Sequence, residues 1–203
     1  MVRWRIVLCL MAVMPAAAPA QDFDYGSIDG FYIPHASADA RGPGAAAIDD
    51  EGAGFGLRVL SRVTDRLMVT AEYQGLSYDD SGLDTAQYRV GAGLALASTT
   101  GVFLTYDRLD LDTQDANGFG LHGRVAGRAG QSLSLYGDLA YLGVDAETFY
   151  YDGFELTLGA AWDLPAPWGL FADYRATRLD DRDNADRWHH RELRLGLRFR
   201  FDC

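Results

Sequence analysis

Cysteine is nearly absent from this 203-residue chain, which contains only Cys9 and Cys203. Cys9 lies in an N-terminal apolar segment that we expect to be removed, so the mature chain would keep one thiol and could form no intramolecular disulfide. The fold must therefore be stabilised by other means, although an exported protein would have been allowed disulfides.

The N-terminal segment carries the order of features of an export signal. Arg3 and Arg5 form a basic start, residues 6–13 form a short apolar run, and Ala18-Pro19-Ala20 supplies small residues for cleavage. This order predicts a secretory signal peptide over residues 1–20. No linker or composition break divides residues 21–203, which we expect to form one domain.

Long apolar runs and basic charge are also scarce. After residue 20 no stretch of about 18 apolar residues occurs, which excludes a transmembrane helix. The chain has 18 Lys+Arg against 29 Asp+Glu, and Arg3 and Arg5 leave with the signal peptide, so the mature net charge is about −13. Nucleic acid is therefore not an expected partner.

What the chain does contain is strict alternation of apolar and polar residues. In one segment Leu67, Val69, Ala71 and Tyr73 alternate with Met68, Thr70, Glu72 and Gln74. In the last segment Leu193, Leu195, Leu197, Phe199 and Phe201 alternate with Glu192, Arg194, Gly196, Arg198 and Arg200. A period of two residues predicts β-strands with one apolar face.

Counting such segments predicts an all-β fold of about ten strands, with eight as the alternative. The predicted strands are 25–33, 51–62, 67–78, 85–97, 101–111, 117–128, 132–144, 150–163, 168–179 and 189–201. Most are long enough to cross a bilayer at a tilt, which takes about 9–11 residues. Short turns alternate with polar loops, the first of which is placed from Ser37 to Ala47, and this predicts an antiparallel up-and-down barrel. The segment before this loop is the least periodic.

A soluble sandwich or lipocalin-like barrel is the main alternative, and the polar strand faces argue against it. These faces carry many charged residues: Arg58, Glu72, Arg89, Asp107, His122, Arg124, Asp138, Glu155, Asp173, Arg175, Glu192, Arg194, Arg198 and Arg200. They also carry Gly56, Gly91, Gly93, Gly120, Gly159 and Gly196, which would leave room for Arg and Tyr side chains in a narrow lumen.

The apolar faces carry aromatic residues near the strand ends, as the interfacial girdles of membrane barrels do. They are Phe55, Tyr73, Tyr88, Phe119, Tyr141, Phe154, Trp162, Tyr174, Phe199 and Phe201. Together with the export signal and the strand lengths, they favour a transmembrane barrel.

Several strand sequences resemble those of small outer-membrane β-barrel proteins of Gram-negative bacteria. They are Gln87-Tyr-Arg-Val-Gly-Ala-Gly, Leu135-Tyr-Gly-Asp-Leu-Ala-Tyr, Phe154-Glu-Leu-Thr-Leu-Gly-Ala, Trp168-Gly-Leu-Phe-Ala-Asp-Tyr and Glu192-Leu-Arg-Leu-Gly-Leu-Arg-Phe. The resemblance is strongest to short members similar to the OmpA transmembrane region, including a group common in Xanthomonas-type bacteria. It implies a location in the cell outer membrane, with outer-membrane lipids and lipopolysaccharide as partners.

The resemblance also implies insertion by the barrel-assembly machinery, which reads a terminal aromatic residue, and a monomeric state. Phe201 matches that pattern, but Asp202 and Cys203 follow it. The inward acidic and basic residues roughly balance, which predicts a salt-bridge network through the lumen. A narrow porin-like channel is the alternative, although a pore would more naturally carry one sign of charge.

One feature leaves enzyme activity open as a weaker alternative. His189 and His190 lie near Asp183 and Asp186 at the outer end of the last strand, where lipid A-modifying and omptin-like barrels need a His beside an acid. Ordinary rim residues are the simpler interpretation, and His122 is expected to belong to the lumen network. We therefore predict no enzyme activity, and no catalytic, cofactor or metal residues.

The external loops are strongly acidic: Asp49, Asp50, Glu51, Asp79, Asp80, Asp84, Asp110, Asp112, Asp115, Asp145, Glu147, Asp180, Asp181, Asp183 and Asp186. One hypothesis is that they bind divalent cations that bridge to lipopolysaccharide phosphates. The alternative is a solvated, repulsive surface, since the spacings are not those of an EF-hand. The leading prediction is a barrel with a structural or surface-interaction role.

Overall fold

The computed structural model describes residues 26–41, 48–111, 114–146, 149–181 and 186–201. The predicted signal peptide, residues 1–20, lies outside the described residues, as do Asp202 and Cys203. The fold is all-β, with ten strands: β1 Gly26–Arg41, β2 Ile48–Arg62, β3 Leu67–Tyr78, β4 Asp84–Ala97, β5 Thr100–Leu111, β6 Gln114–Arg128, β7 Leu133–Ala146, β8 Phe149–Asp163, β9 Trp168–Asp181 and β10 Arg187–Arg200. Among the described residues, no helix is long and apolar enough to span a membrane.

The strands close into an antiparallel up-and-down barrel. Each strand pairs with its neighbours in sequence, and β1 pairs with β10 to complete the ring. Closure satisfies the backbone of every strand and leaves no open edge, which a sheet inside lipid requires. The ten-strand prediction is therefore confirmed, and the eight-strand alternative is wrong.

The predicted strand bounds agree with the observed ones to within three residues everywhere except at β1. This strand continues to Arg41, so the loop predicted to begin at Ser37 is wrong. The cause is a register shift between Tyr32 and His35 in the pairing with β10. Such a bulge adds one residue to the strand and interrupts the alternation by which the strand could be recognised.

Short turns join the strands at one end of the barrel, at residues 63–66, 98–99, 129–132 and 164–167, as predicted. The other end carries the polar connections, of which residues 42–47, 112–113, 147–148 and 182–185 lie outside the described residues. The loop between β3 and β4 is anchored by Asp50, whose carboxylate accepts bonds from the backbone N–H groups of Asp80 at 3.0 Å and Ser81 at 2.9 Å.

Aromatic residues form two belts on the outer surface of the barrel. Phe55, Phe119 and Trp162 are 65%, 64% and 59% exposed, as expected of large apolar residues on the outer face of a membrane barrel. On β8 the belts are marked by Phe154 and Trp162, which are about 26 Å apart along the strand. At a tilt of about 40° this separation corresponds to roughly 20 Å of membrane depth, near the height of an outer-membrane apolar band. The predicted outward position of most of these aromatic residues is confirmed.

Glycines on the inner face make room for aromatic rings. A Cβ added at Gly56 would overlap the Phe31 ring, one at Gly159 the Tyr136 ring, and one at Gly196 would lie 2.6 Å from the Phe171 ring. The prediction that these glycines accommodate large lumen side chains is right for the aromatic residues. At these three positions the nearest side chains are rings rather than the predicted arginines.

The close approach at Gly159 gives a test of lumen packing. We expect Gly159→Ala to lower the free energy of unfolding by about 1–3 kcal/mol, because the new methyl group must displace the Tyr136 ring or the Asp173 side chain. Urea titration of the barrel in detergent micelles, followed by heat-modifiable gel mobility, measures this loss. Gly30→Ala is the matched control, since a Cβ there meets nothing within 4 Å. Equal stability of the two variants would contradict this packing.

Candidate functional site

The lumen contains a layer of charged side chains near mid-height. We call this the charged layer: Asp29, Arg58, Glu72, Arg89, Asp107, Glu155, Asp173, Arg175, Glu192, Arg194 and Arg198. Alternation places each of them on the inner face of its strand. The fourteen residues predicted to face inward do face the lumen, and Glu192 and Arg194 are completely buried.

Hydrogen bonds made by residues of the charged layer join strands that are not neighbours in the sheet. Arg89 on β4 donates to Glu155 on β8 at 2.6 Å, and Gln74 on β3 donates to Glu192 on β10 at 2.7 Å. Such contacts pass through the middle of the barrel rather than along its wall. The lumen at this level is therefore filled by side chains, as expected for a barrel of this size.

Glu72 is the carboxylate on which several cations converge. The guanidinium of Arg175 donates to it in a close hydrogen bond, Arg194 Nη1 lies 3.3 Å away and Arg58 Nη1 lies 3.9 Å away. Arg194 also donates to Asp173, which accepts a bond from the Tyr136 hydroxyl at 2.7 Å. Each of these buried charges thus has at least one opposite partner, which is the condition for burying it at tolerable cost.

Asp29 belongs to the charged layer although it was not among the predicted inward residues. Arg58 Nη2 donates to it at 2.8 Å, and Arg198 Nε donates at 2.7 Å. The irregular alternation of β1 concealed its orientation. The spacing of Asp29, Phe31 and Ile33, all buried, is the signal that could have identified it.

Aromatic rings pack against several of the arginines in the lumen. Arg194 lies 5.3 Å from the Phe31 ring centroid, and Arg58 lies 5.3 Å from that of Phe171. The Tyr136 ring has Arg124 at 5.2 Å and Arg198 at 5.7 Å. Cation–π contacts of this kind stabilise the faces of guanidinium groups, while the carboxylates contact their edges.

A second layer, on the loop side of the charged layer, is apolar. It consists of two clusters, one with Ile33, Ala36, Ala38, Leu76 and Tyr78 and the other with Leu142, Leu179 and Trp188, which we together call the apolar layer. Sequence reasoning missed it by assigning apolar residues to the lipid. The signal that could have identified it is parity, the rule that residues an even number of positions apart lie on the same strand face. Leu76 lies four residues after Glu72 and Leu179 four residues after Arg175, so each shares a strand face with a charged residue.

The four histidines do not form one site. His122 Nδ1 lies 2.8 Å from Asp138 and its Nε2 lies 3.1 Å from the Thr105 hydroxyl, which agrees with the predicted place in the lumen network. These residues border a cavity of about 50 Å³. Such a space suits a few water molecules and excludes a lipid or peptide substrate.

His189 and His190 face opposite sides of the barrel wall. His190 points inward, stacks on Trp188 and lies 3.9 Å from Glu192, whereas His189 points outward. Neighbouring residues on a strand must diverge in this way, so the pair predicted as a possible rim site is not assembled. Asp183 lies outside the described residues, and Asp186 is buried.

The acidic rim does not gather its carboxylates into a metal site within the part of the chain that the structure describes, which leaves out Asp112, Glu147 and Asp183. In that part, no three His, Cys, Asp or Glu side chains lie close enough together to hold a metal ion. Two rim acids instead have structural surroundings, since Asp50 anchors a loop and Asp181 is buried at the loop end of β9.

The fold is shared with outer-membrane barrels of known structure. An outer-membrane channel from Pseudomonas putida F1 superimposes with a TM-score of 0.51 at 13% identity, covering 93% of this chain and 100% of the channel. The KdgM porin gives 0.41 at 11% identity over 87% of this chain and 99% of its own, and Neisserial surface protein A gives 0.40 at 14% over 91% and 100%. No family model and no curated protein matches the chain.

The chain therefore has the fold of an outer-membrane β-barrel. The narrower resemblance to the OmpA transmembrane region and to the Xanthomonas-type group stays a prediction.

The Arg89–Glu155 pair allows the cross-barrel contacts to be tested. We expect Arg89→Met or Glu155→Gln alone to cost about 3 kcal/mol of unfolding free energy, because each removes the main opposite charge of a buried group, which keeps only Asp107 or Arg175 as a partner. The double variant should cost clearly less than the sum of the two single changes, as urea titration in micelles would measure.

The exposed pair Arg108–Asp115 is the matched control, with a contact of 2.8 Å and both side chains about half exposed. The same cycle there should give less than about 1 kcal/mol. Additive losses at Arg89 and Glu155 would contradict an energetic link across the lumen.

Proposed function

We propose that the protein is a monomeric, non-conducting outer-membrane barrel with a structural or surface-interaction role. The observation that supports this is the succession of two filled layers in the lumen. An ion entering from the loop side would first meet the apolar layer and then the charged layer, whose pairs cross the full width of the barrel. The closed ring has no free edge strand that would join a second copy.

The role in the cell then lies at the outer end of the barrel. Exposed acids of the rim, among them Asp79, Asp80, Asp84 and Asp145, give this end a strongly negative surface. A rigid barrel that holds such a surface outside the membrane suits contact with other envelope components or with the surroundings of the cell. The proposal includes no catalytic step.

A narrow channel is the second candidate. It is favoured by the 50 Å³ cavity inside the charged layer and by buried polar atoms without a hydrogen-bond partner, such as Arg194 Nη2 and Glu192 Oε1. The Pseudomonas putida neighbour, which shares the fold, is described as a channel. Water molecules at these atoms would provide a path for small ions only if the apolar layer also opened.

Planar-bilayer recording distinguishes the two candidates. We expect the reconstituted wild-type barrel to give no stable conductance steps, because both layers block the lumen. A sixteen-stranded porin inserted under the same conditions shows that insertion would be detected.

A variant that empties both layers, with Ile33, Leu76, Arg175 and Arg194 changed to alanine, should give small steps. Reproducible steps of one size from the wild-type protein would overturn the proposed function in favour of a channel.

A further inference from the structure

The outer faces of β9 and β10 change abruptly from apolar to basic at the outer membrane interface. Reading toward the loops, the outward residues of β9 are Leu170, Ala172, Tyr174, Ala176 and Arg178, and those of β10 are Leu197, Leu195, Leu193, Arg191, His189 and Arg187. On both strands the change follows the last residues of the apolar band. The cations therefore lie at the level of lipid headgroups.

Strand pairing brings these cations together. Arg178 is directly opposite His189, and Arg191 is opposite Ala176, two residues away from Arg178. Diagonal neighbours on one sheet face are separated by about 7–8 Å, which is within reach of long side chains. Arg187 follows at the next outward position of β10, opposite Asp180. We call Arg178, Arg187 and Arg191 the arginine cluster.

Acidic neighbours neutralise only part of this charge. Asp180 lies 3.6 Å from Arg178 Nη2 and 3.4 Å from Arg187 Nε, so one carboxylate is shared by two guanidinium groups. Asp39 is opposite His189 on β1, and Asp152 is opposite Asp180 on β8. Arg191 is exposed and has no ion-pair partner among the described residues. The Arg178 and Arg187 side chains are 57% and 62% exposed.

The rest of the outer interface lacks such a group within the described residues. Arg108 on β5 is another outward arginine near this depth, and its partner Asp115 lies 2.8 Å away. Arg41 at the end of β1 is opposite Arg187 in the register and so adjoins the cluster itself. Elsewhere the outward positions above the aromatic belt are acidic or neutral, as at Asp84, Asn117 and Asp145. A concentration of basic residues on one side of an acidic protein is therefore a local feature of β9 and β10.

We propose that the arginine cluster binds a phosphate group of lipopolysaccharide in the outer leaflet. Guanidinium groups form paired, charge-assisted hydrogen bonds with phosphate oxygens. Below the cluster, Tyr174 and Leu193 are exposed to lipid and provide apolar contact for acyl chains. This contact is direct and needs no bridging cation, in contrast to the acidic-rim hypothesis. It requires only that the barrel lies in the outer membrane, so it stands or falls independently of the conductance test.

The test uses the full mature chain folded in detergent micelles with a chelator present. Bis-phosphorylated lipid A and its dephosphorylated form, with identical acyl chains, are titrated and the bound lipid is counted by native mass spectrometry. Phosphatidylglycerol is titrated in parallel as a phospholipid probe. The variants are the triple change Arg178→Gln, Arg187→Gln and Arg191→Gln, and the control Arg108→Gln. Heat-modifiable mobility confirms that each is folded.

We expect the triple variant to bind bis-phosphorylated lipid A on the order of 100-fold more weakly, since each basic residue near an anionic lipid surface contributes a factor of about five. Arg108→Gln should stay within about twofold of wild type. The dephosphorylated lipid should bind the wild type as weakly as the phosphorylated lipid binds the triple variant.

Equal binding by the triple variant and the wild type would overturn the proposal, as would equal binding of the two lipid A forms. Wild-type binding that occurs without the chelator but is lost in its presence would assign the contact to cations on the acidic rim instead. Equally tight binding of phosphatidylglycerol would show a general phosphate contact and overturn the assignment to lipopolysaccharide.

Discussion

The pairing of buried arginines with carboxylates across the lumen is the interaction on which the rest of this barrel depends. A ten-stranded ring encloses more space than a wall of small side chains can fill, and it encloses too little for a wide column of water. Long charged side chains can reach the centre, but each must find an opposite charge there. Glu72 on β3 meets this condition for arginines from β9 and β10, so opposite walls are tied together at mid-height.

The choice of arginine explains several other features of the lumen. The chain contains no lysine, so all 18 of its Lys+Arg residues are arginine. A planar guanidinium can contact two carboxylates and stack on a ring at the same time, which a lysine ammonium cannot do. Arg58 does both, with Asp29 at 2.8 Å and the Phe171 ring at 5.3 Å. The rings in turn need space, which glycines such as Gly196 provide. The arginines, the aromatic rings and the glycines of the lumen therefore depend on one another.

The sequence predicted most of the strands and the inward charges because a period of two leaves each side chain only two possible directions. The lumen charges followed from parity alone. The extension of β1 did not, because the bulge between Tyr32 and His35 breaks the parity rule locally. The position of Asp29 did not either, because its face of β1 mixes this acid with the apolar Phe31 and Ile33. The apolar layer was missed because residue type was preferred to parity. The partners across the lumen, such as Arg89 and Glu155, depend on strand tilt and stagger, which no local pattern encodes.

The two faces of β9 and β10 show how the lumen network also determines the outer surface. Arg175 and Arg178 are three residues apart on β9, so one points into the lumen and the other toward lipid. On β10 the same holds for Arg194 and Arg191. The hydrogen bond from Arg194 to Asp173 joins β10 to β9 on the inner face. Because that bond helps to fix the register of the two strands, it also fixes the spacing of the arginines outside. Ion pairing inside the barrel thereby preorganises a cationic surface for the lipid around it.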